Sequence, residues 1–333
     1  MLLFLDNTPQ SLPAALSTIQ KFSFISGYKI NLNKSILLPL NIVPSSPQLD
    51  IDTPVGSCFR YLGIDIYSSI DKIVAKNYKS LKKVITDELH RWSLLLISLS
   101  ARLSVVKTHI LPKINFLVSM IPLPPPPGFW EKLQGLVFKF IWREQHPRIS
   151  NSTLQNSRKA GGLSVPNFER YYFSFMLRPL LRWFDNDDNV PWVNMEKHIV
   201  SPYTFKDILF SGFSPSFCQT KFGPIVAHSI YVWRYIAQLG QWDTKWHLDT
   251  PIFDNNSLLL GGKPIRFPNW QKKGIHKLSD IYSESGLRSF QELKQIYNIP
   301  GTSFFFYLQL RTAMHTYGVP WNQPLSVHLY CVY

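Results

Sequence analysis

A chain of 333 residues, 45% hydrophobic and 14% aromatic, has enough apolar side chain for a sizeable core; this excludes disorder as the default and suggests about two domains. Its formal net charge of +14 makes an anionic partner the first expectation, because such a field concentrates phosphate groups at the surface. Cys58, Cys218 and Cys331 fit neither a disulfide framework nor a zinc site with CxxC spacing, and the apolar runs around Leu94–Leu99 and Phe304–Leu310 fall short of a membrane span. The expectation is an intracellular protein of the nucleus or cytoplasm, not secreted and with no membrane partner.

The charge is uneven. Residues 1–182 hold 22 Lys and Arg against 10 Asp and Glu, a balance of +12; residues 183–333 hold 13 against 11, a balance of +2. An anion-binding surface therefore belongs to the first half.

Leu2–Leu5 reads as a short buried strand ended by the turn formers Asp6, Asn7, Thr8 and Pro9. Ser11–Ile25 has a helical pattern, with Ser11 as its cap and Gly27 as its stop. Ile30–Leu40 is extended, and residues 41–57 form a Pro-, Ser- and Asp-rich loop. Phe59–Tyr67 alternates as a strand, with a bulge or a close backbone approach expected where the pattern breaks at Gly63.

Lys72–Trp92 carries two stripes on one helix. Tyr78, Leu81, Ile85, Leu89 and Trp92 recur at helical intervals and form a packing face. Lys72, Lys76, Lys79 and Lys83 recur on the opposite side as a ladder of ammonium groups, which on many helices is simply a solvated face.

A second helix starts at Ser100, carries Leu103, Val106, Ile110, Ile114 and Leu117 inward, and is expected to kink at Pro112. Pro122 and Pro124–Pro127 form a stiff spacer. Phe129–Trp142 is amphipathic and leads into a basic stretch with Arg143, Arg148, Arg158 and Lys159. Tyr171–Phe184 is helical, interrupted by Pro179. Beyond Asp185 the pattern weakens to short helices near Leu278–Tyr297 and Ser303–His315.

Phosphate-cradling GxGxxG and GxxxxGK loops, HExxH and the GxSxG elbow do not occur in the sequence. Asp185, Asp187 and Asp188 form a tight acidic group that reads as a solvated turn rather than a metal site. What remains is binding chemistry: cations interleaved with Trp, Tyr and Phe, which suits phosphates and bases but equally suits a basic protein-interaction module.

Taken as an ordered series, several segments resemble the non-LTR, long-interspersed-element class of retrotransposon reverse transcriptases. They are Ser26-Gly27-Tyr28-Lys29-Ile30-Asn31 with Lys34-Ser35, Tyr61-Leu62-Gly63-Ile64, Arg91-Trp92, Ile110-Leu111-Pro112-Lys113 and Phe140-Ile141-Trp142 with Pro147-Arg148-Ile149-Ser150. Ala160-Gly161-Gly162-Leu163 follows, with Pro166-Asn167-Phe168 and Tyr171-Tyr172. The likeness is strong over residues 1–184 and loose beyond.

That resemblance implies an α+β fold: a remnant of a polymerase palm sheet over residues 1–70, a helical thumb over 71–121, a basic post-thumb segment over 122–184 and a helical region over 185–333. It implies that the chain opens just after the family's metal-holding aspartate pair, so no catalytic residue and no metal ligand is expected in it. Mg²⁺ belongs to the full-length polymerase, whose two-metal chemistry needs convergent carboxylates. Asp6 would lie roughly 15 Å away along a strand, too far to substitute. By the same resemblance Gly27, Tyr28, Lys29 and Lys34 form the palm turn, and Tyr61, Leu62 and Gly63 form a primer-grip-like hairpin. Lys76, Lys79, Lys83, Arg102, Lys107, Lys113, Arg143, Arg148, Arg158 and Lys159 would contact an RNA or RNA–DNA duplex without reading its sequence. The alternatives are a non-enzymatic basic interaction module and a non-functional retroelement remnant.

Overall fold

Helices carry most of the architecture. The computed structural model describes residues 2–6, 8–40, 55–184, 190–240 and 246–320. Among these the chain is mostly helical, with three two-stranded antiparallel hairpins as its only sheets. The described residues divide into two compact units. The first takes everything up to Ile121 with Pro125–Val165; the second takes Pro122–Pro124 and everything from Pro166.

In the first unit, α1 (Thr8–Ser26) begins earlier than its apolar spacing suggests and absorbs Pro13. Ser11 is not its cap; the Ser11 hydroxyl donates to the Asp6 carbonyl. Gly27 ends the helix in the left-handed region, its N–H bonding the Ser23 carbonyl. Leu2–Leu5 is not a buried strand. It has no ladder partner among the described residues, and Leu2, Leu3 and Phe4 are exposed, as expected for an apolar run without a neighbouring strand.

Phe59–Tyr67 is a hairpin rather than one strand. β1 (Cys58–Tyr61) pairs antiparallel with β2 (Ile64–Tyr67), with Tyr61 opposite Ile64. Leu62 (φ 46°) and Gly63 (φ 85°) form the two-residue turn, and two positive φ values match the right-handed twist of the flanking strands. The alternation breaks at Gly63 because the chain reverses there.

α2 (Ile70–Ser93) packs against α4 (Leu111–Met120) and α5 (Phe129–Trp142), and α3 (Leu99–Val105) also packs on α5. Tyr78 meets Phe129 edge to face at 4.9 Å; Ile85, Ile110, Ile114, Leu133, Val137 and Ile141 fill the space between these helices. The turn between α3 and α4 is a widened π turn, Val106–Ile110, and Pro112 sits in the first turn of α4. Where a kink was expected, the chain instead widens into this π turn just before Pro112, whose missing N–H falls in the first turn of α4, where it costs no helical hydrogen bond. α6 (Asn151–Gln155) closes this unit.

In the second unit α7 (Phe168–Phe184) runs through Pro179 without breaking and packs against α10 (Pro215–Leu239). α8 (Pro191–Val200) and α9 (Phe205–Phe210) fill the same core; Trp183 stacks on Phe205 at 4.5 Å and donates its indole N–H to Glu196. Two hairpins, β3–β4 (Leu259–Leu260, Lys263–Pro264) and β5–β6 (Tyr282–Ser283, Gly286–Leu287), follow. With α11 (Pro268–Gln271), α12 (Leu278–Ile281), α13 (Phe290–Tyr297) and α14 (Phe304–Thr316) they surround an apolar cluster centred on Trp270, Ile275, Leu278 and Met314.

Candidate nucleic-acid interface

The long helix α2 has the amphipathic division its spacing demands. Asn77, Tyr78, Ile85, Glu88 and Leu89 are buried. Lys72, Lys76, Lys79 and Lys83 are all exposed on the far side, within an arc of roughly 60° at 3.6 residues per turn. His90 continues the same line and is also exposed.

Asn77 ties the hairpin to this helix. Its amide oxygen accepts from the Asp65 N–H at 3.0 Å; its amide nitrogen donates to the Asp65 and Ile73 carbonyls at 2.8 Å each. The side chain behaves as one more rung on the free edge of β2. Tyr61 and Leu62 stand exposed at the hairpin apex, and Gly63 backs onto the Phe116 ring, 3.2 Å from where a Cβ would lie. Arg60 closes the turn by donating to the Gly63 carbonyl at 3.2 Å.

Gly27, Tyr28, Lys29 and Lys34, expected as a palm turn, lie in the first unit after α1. Tyr28 and Lys29 are exposed, and Lys34 ends a short 3-10 turn in which Asn31 Oδ1 accepts from the Lys34 N–H at 3.2 Å.

Other basic residues make contacts within the protein. Arg102 is only 9% exposed; it donates to the Phe140 carbonyl at 3.4 Å, and burial, then the neighbouring Arg143 charge, lowers its pKa. Lys107 donates to the Leu163 carbonyl at 3.1 Å, its pKa lowered by burial and by Arg158. Lys113 pairs with Glu88 at 2.9 Å, while His109 lies 3.9 Å from the same carboxylate. These three are committed to contacts within the protein. Arg143, Arg148, Arg158 and Lys159 are exposed, although Arg143 also donates to the Ile97 carbonyl at 2.8 Å.

No protein-family model matches this chain.

Two clusters outside this surface were not legible in the residue pattern. His228 is buried and hydrogen bonds the Tyr172 hydroxyl; burial alone pushes its pKa down to about 4. Asp249 accepts from Lys277 at 2.8 Å, with Lys206 and His247 each at 3.7 Å. The Asp249 carboxylate is satisfied by its neighbours and Tyr172–His228 is a buried hydrogen bond between neutral groups; Tyr172 and His228 are 56 residues apart, and Asp249 and Lys277 are 28 apart. Among the described residues no group of three His, Cys, Asp or Glu side chains is placed to hold a metal, and no helix is long and apolar enough to cross a membrane. Asp185, Asp187 and Asp188 lie outside the described residues.

Proposed function

We propose that this chain is the duplex-gripping part of a retroelement polymerase of the long-interspersed-element type, in which α2 lies along the backbone of an RNA or RNA–DNA duplex. The lysine face carries this reading. Four ammonium groups span about 16 Å along the helix axis at 1.5 Å per residue, a length over which one nucleic-acid strand presents roughly five phosphates. Lysine is suited to this role: a compact charge on a flexible stem neutralises phosphate without demanding a fixed geometry. The ordered motif series supports the same reading, with Tyr61, Leu62 and Gly63 carried toward the duplex by the hairpin that Asn77 fixes to α2. Arg148, Arg158 and Lys159 extend the basic surface. In this reading the chain binds and orients; the metal-dependent transfer step is assigned to no residue here.

The test is binding of an RNA–DNA hybrid measured by fluorescence anisotropy as salt is raised. With about six phosphates engaged, affinity falls roughly 10³-fold between about 50 and 200 mM salt. Replacing Lys76, Lys79 and Lys83 together by Gln lowers the salt slope by nearly three. A flat salt response, or a triple variant that binds the hybrid as the parent does, overturns the reading in favour of a protein partner.

A further inference from the structure

A recess at the end of α5 is shaped by two features that cost the fold stability. Gly135, Phe138, Lys139 and Trp142 follow helical spacing and share one strip of α5. Past the helix the chain doubles back, so that Glu144, Gln145, Pro147 and Asn151 border the same open space of about 240 Å³. Both segments belong to the first unit.

The turn is the first of these features. Arg143 (φ 51°) ends α5 in the left-handed region, and the Glu144 N–H donates to the Lys139 carbonyl at 2.8 Å. One left-handed residue suffices to end a helix in this way. Glu144 (φ 59°) is a second, and left-handed backbone is unfavourable for any residue with a Cβ. With the Gln145 N–H held on the Trp142 carbonyl at 3.0 Å, this second residue brings the returning segment alongside the strip. Gly135 is the other feature. It has ordinary helical backbone and no atom within 4 Å of where a Cβ would lie, so neither conformation nor crowding requires glycine there. Glycine inside a helix is less stable than alanine. What it leaves is an open floor beside Phe138 and Trp142.

The rim carries one charge of each sign. Lys139 and Glu144 pair neither with each other nor with another charged group among the described residues. Gln145 and Asn151 add amides, which both donate and accept. A phosphate would meet Glu144 and a simple cation would meet Lys139, so the lining is balanced only by a ligand that carries both charges. We propose that this recess binds a zwitterionic α-amino acid with a large apolar side chain. Its carboxylate lies by Lys139, its ammonium by Glu144 at the carbonyl end of α5, and its side chain on Phe138 and Trp142 above Gly135. The volume falls below the roughly 300–1,000 Å³ of sites for drug-sized ligands, which suits a ligand this small. The site lies on a different helix from the lysine face of α2 and does not depend on the duplex reading.

The experiment titrates the full chain with L-phenylalanine, L-phenylalaninamide and N-acetyl-L-phenylalanine by isothermal calorimetry. The amide lacks the negative charge and the acetyl compound lacks the positive one. L-Phenylalanine binds at least about tenfold more tightly than either, the effect of one charge-assisted contact. Lys139→Gln abolishes the preference over the amide alone, and Glu144→Gln abolishes the preference over the acetyl compound alone. Gly135→Leu, which fills the floor, removes binding, whereas Gly135→Ala raises the urea midpoint. Equal binding of the three compounds, or no binding of L-phenylalanine, overturns the proposal. So does a Gly135→Leu variant that binds as the parent does. A lowered midpoint in Gly135→Ala overturns it as well, because the glycine would then serve packing rather than the recess.

Discussion

Helices α1 and α10 are alike in composition and opposite in fate. Each is long, largely apolar, poor in charge and interrupted by an internal proline, Pro13 in one and Pro224 in the other. An apolar helix without a strong polar face is expected to be covered on most sides. α10 meets that expectation, with Cys218, Phe222, Val226, Ile230, Val232, Trp233 and Ala237 buried against α7, α8 and α9. α1 does not: Leu12 is buried, while Phe22, Ile25 and above all Phe24, at 94% exposure, face outward. Composition sets how much surface a helix needs to bury. Whether it is buried depends on partners whose positions lie elsewhere in the chain.

The largest effect that sharpens this contrast is the loss of a ring from α10. Trp233→Ala removes a buried indole and leaves a cavity among Phe184 and Phe210, so unfolding in urea should show a loss of roughly 3–5 kcal/mol. A loss below about 1 kcal/mol would mean that α10 is not packed as described.

His228 supplies the next effect, because burial has been achieved at the cost of a titratable group. Its folded pKa, about 4, lies below its ordinary value of 6.5, so the unfolded chain binds a proton that the folded chain refuses between those values. Stability from this residue is fully present above about pH 6.5, falls as pH drops towards about 4, and amounts to at most about 3 kcal/mol. Urea midpoints measured across that window should decline for the parent chain and decline less for His228→Gln. Equal slopes in the two proteins would place His228 in water.

What was legible in the sequence follows the same division. The two faces of α2 could be read from spacing because a helix turns at 3.6 residues whatever it packs against, and Lys76, Lys79 and Lys83 are exposed where that period puts them. The internal contacts of Arg102 and Lys113 could not. Their partners, the Phe140 carbonyl and Glu88, are 38 and 25 residues away, and helical spacing reports neither. From the residue pattern alone Phe59–Tyr67 reads as one strand, because its turn places Leu62 at positive φ, a position where Asn or Asp is the usual signal; the hairpin was implied only by the resemblance. α10 escaped notice because Gly223 (φ 78°) and Pro224 break its pattern and its apolar residues surround the axis rather than form a stripe.

The smallest effect on stability belongs to α1, and it is the most direct way to break the comparison. Phe24 and Ile25 have almost no contact surface to lose, so Phe24→Ser with Ile25→Ser should change the unfolding free energy by less than about 0.5 kcal/mol. The same substitutions remove an exposed apolar patch of the kind that drives association, so the concentration at which the protein remains monomeric in light scattering should rise. Limited proteolysis reads the same property: a segment held by few buried contacts opens locally, and cleavage should leave a core beginning near residue 70, at the start of α2. Protection of residues 8–40 together with a loss of more than about 2 kcal/mol in the double variant would show that α1 is buried in solution. The exposed face would then be a packed one, and the difference between the two helices would vanish.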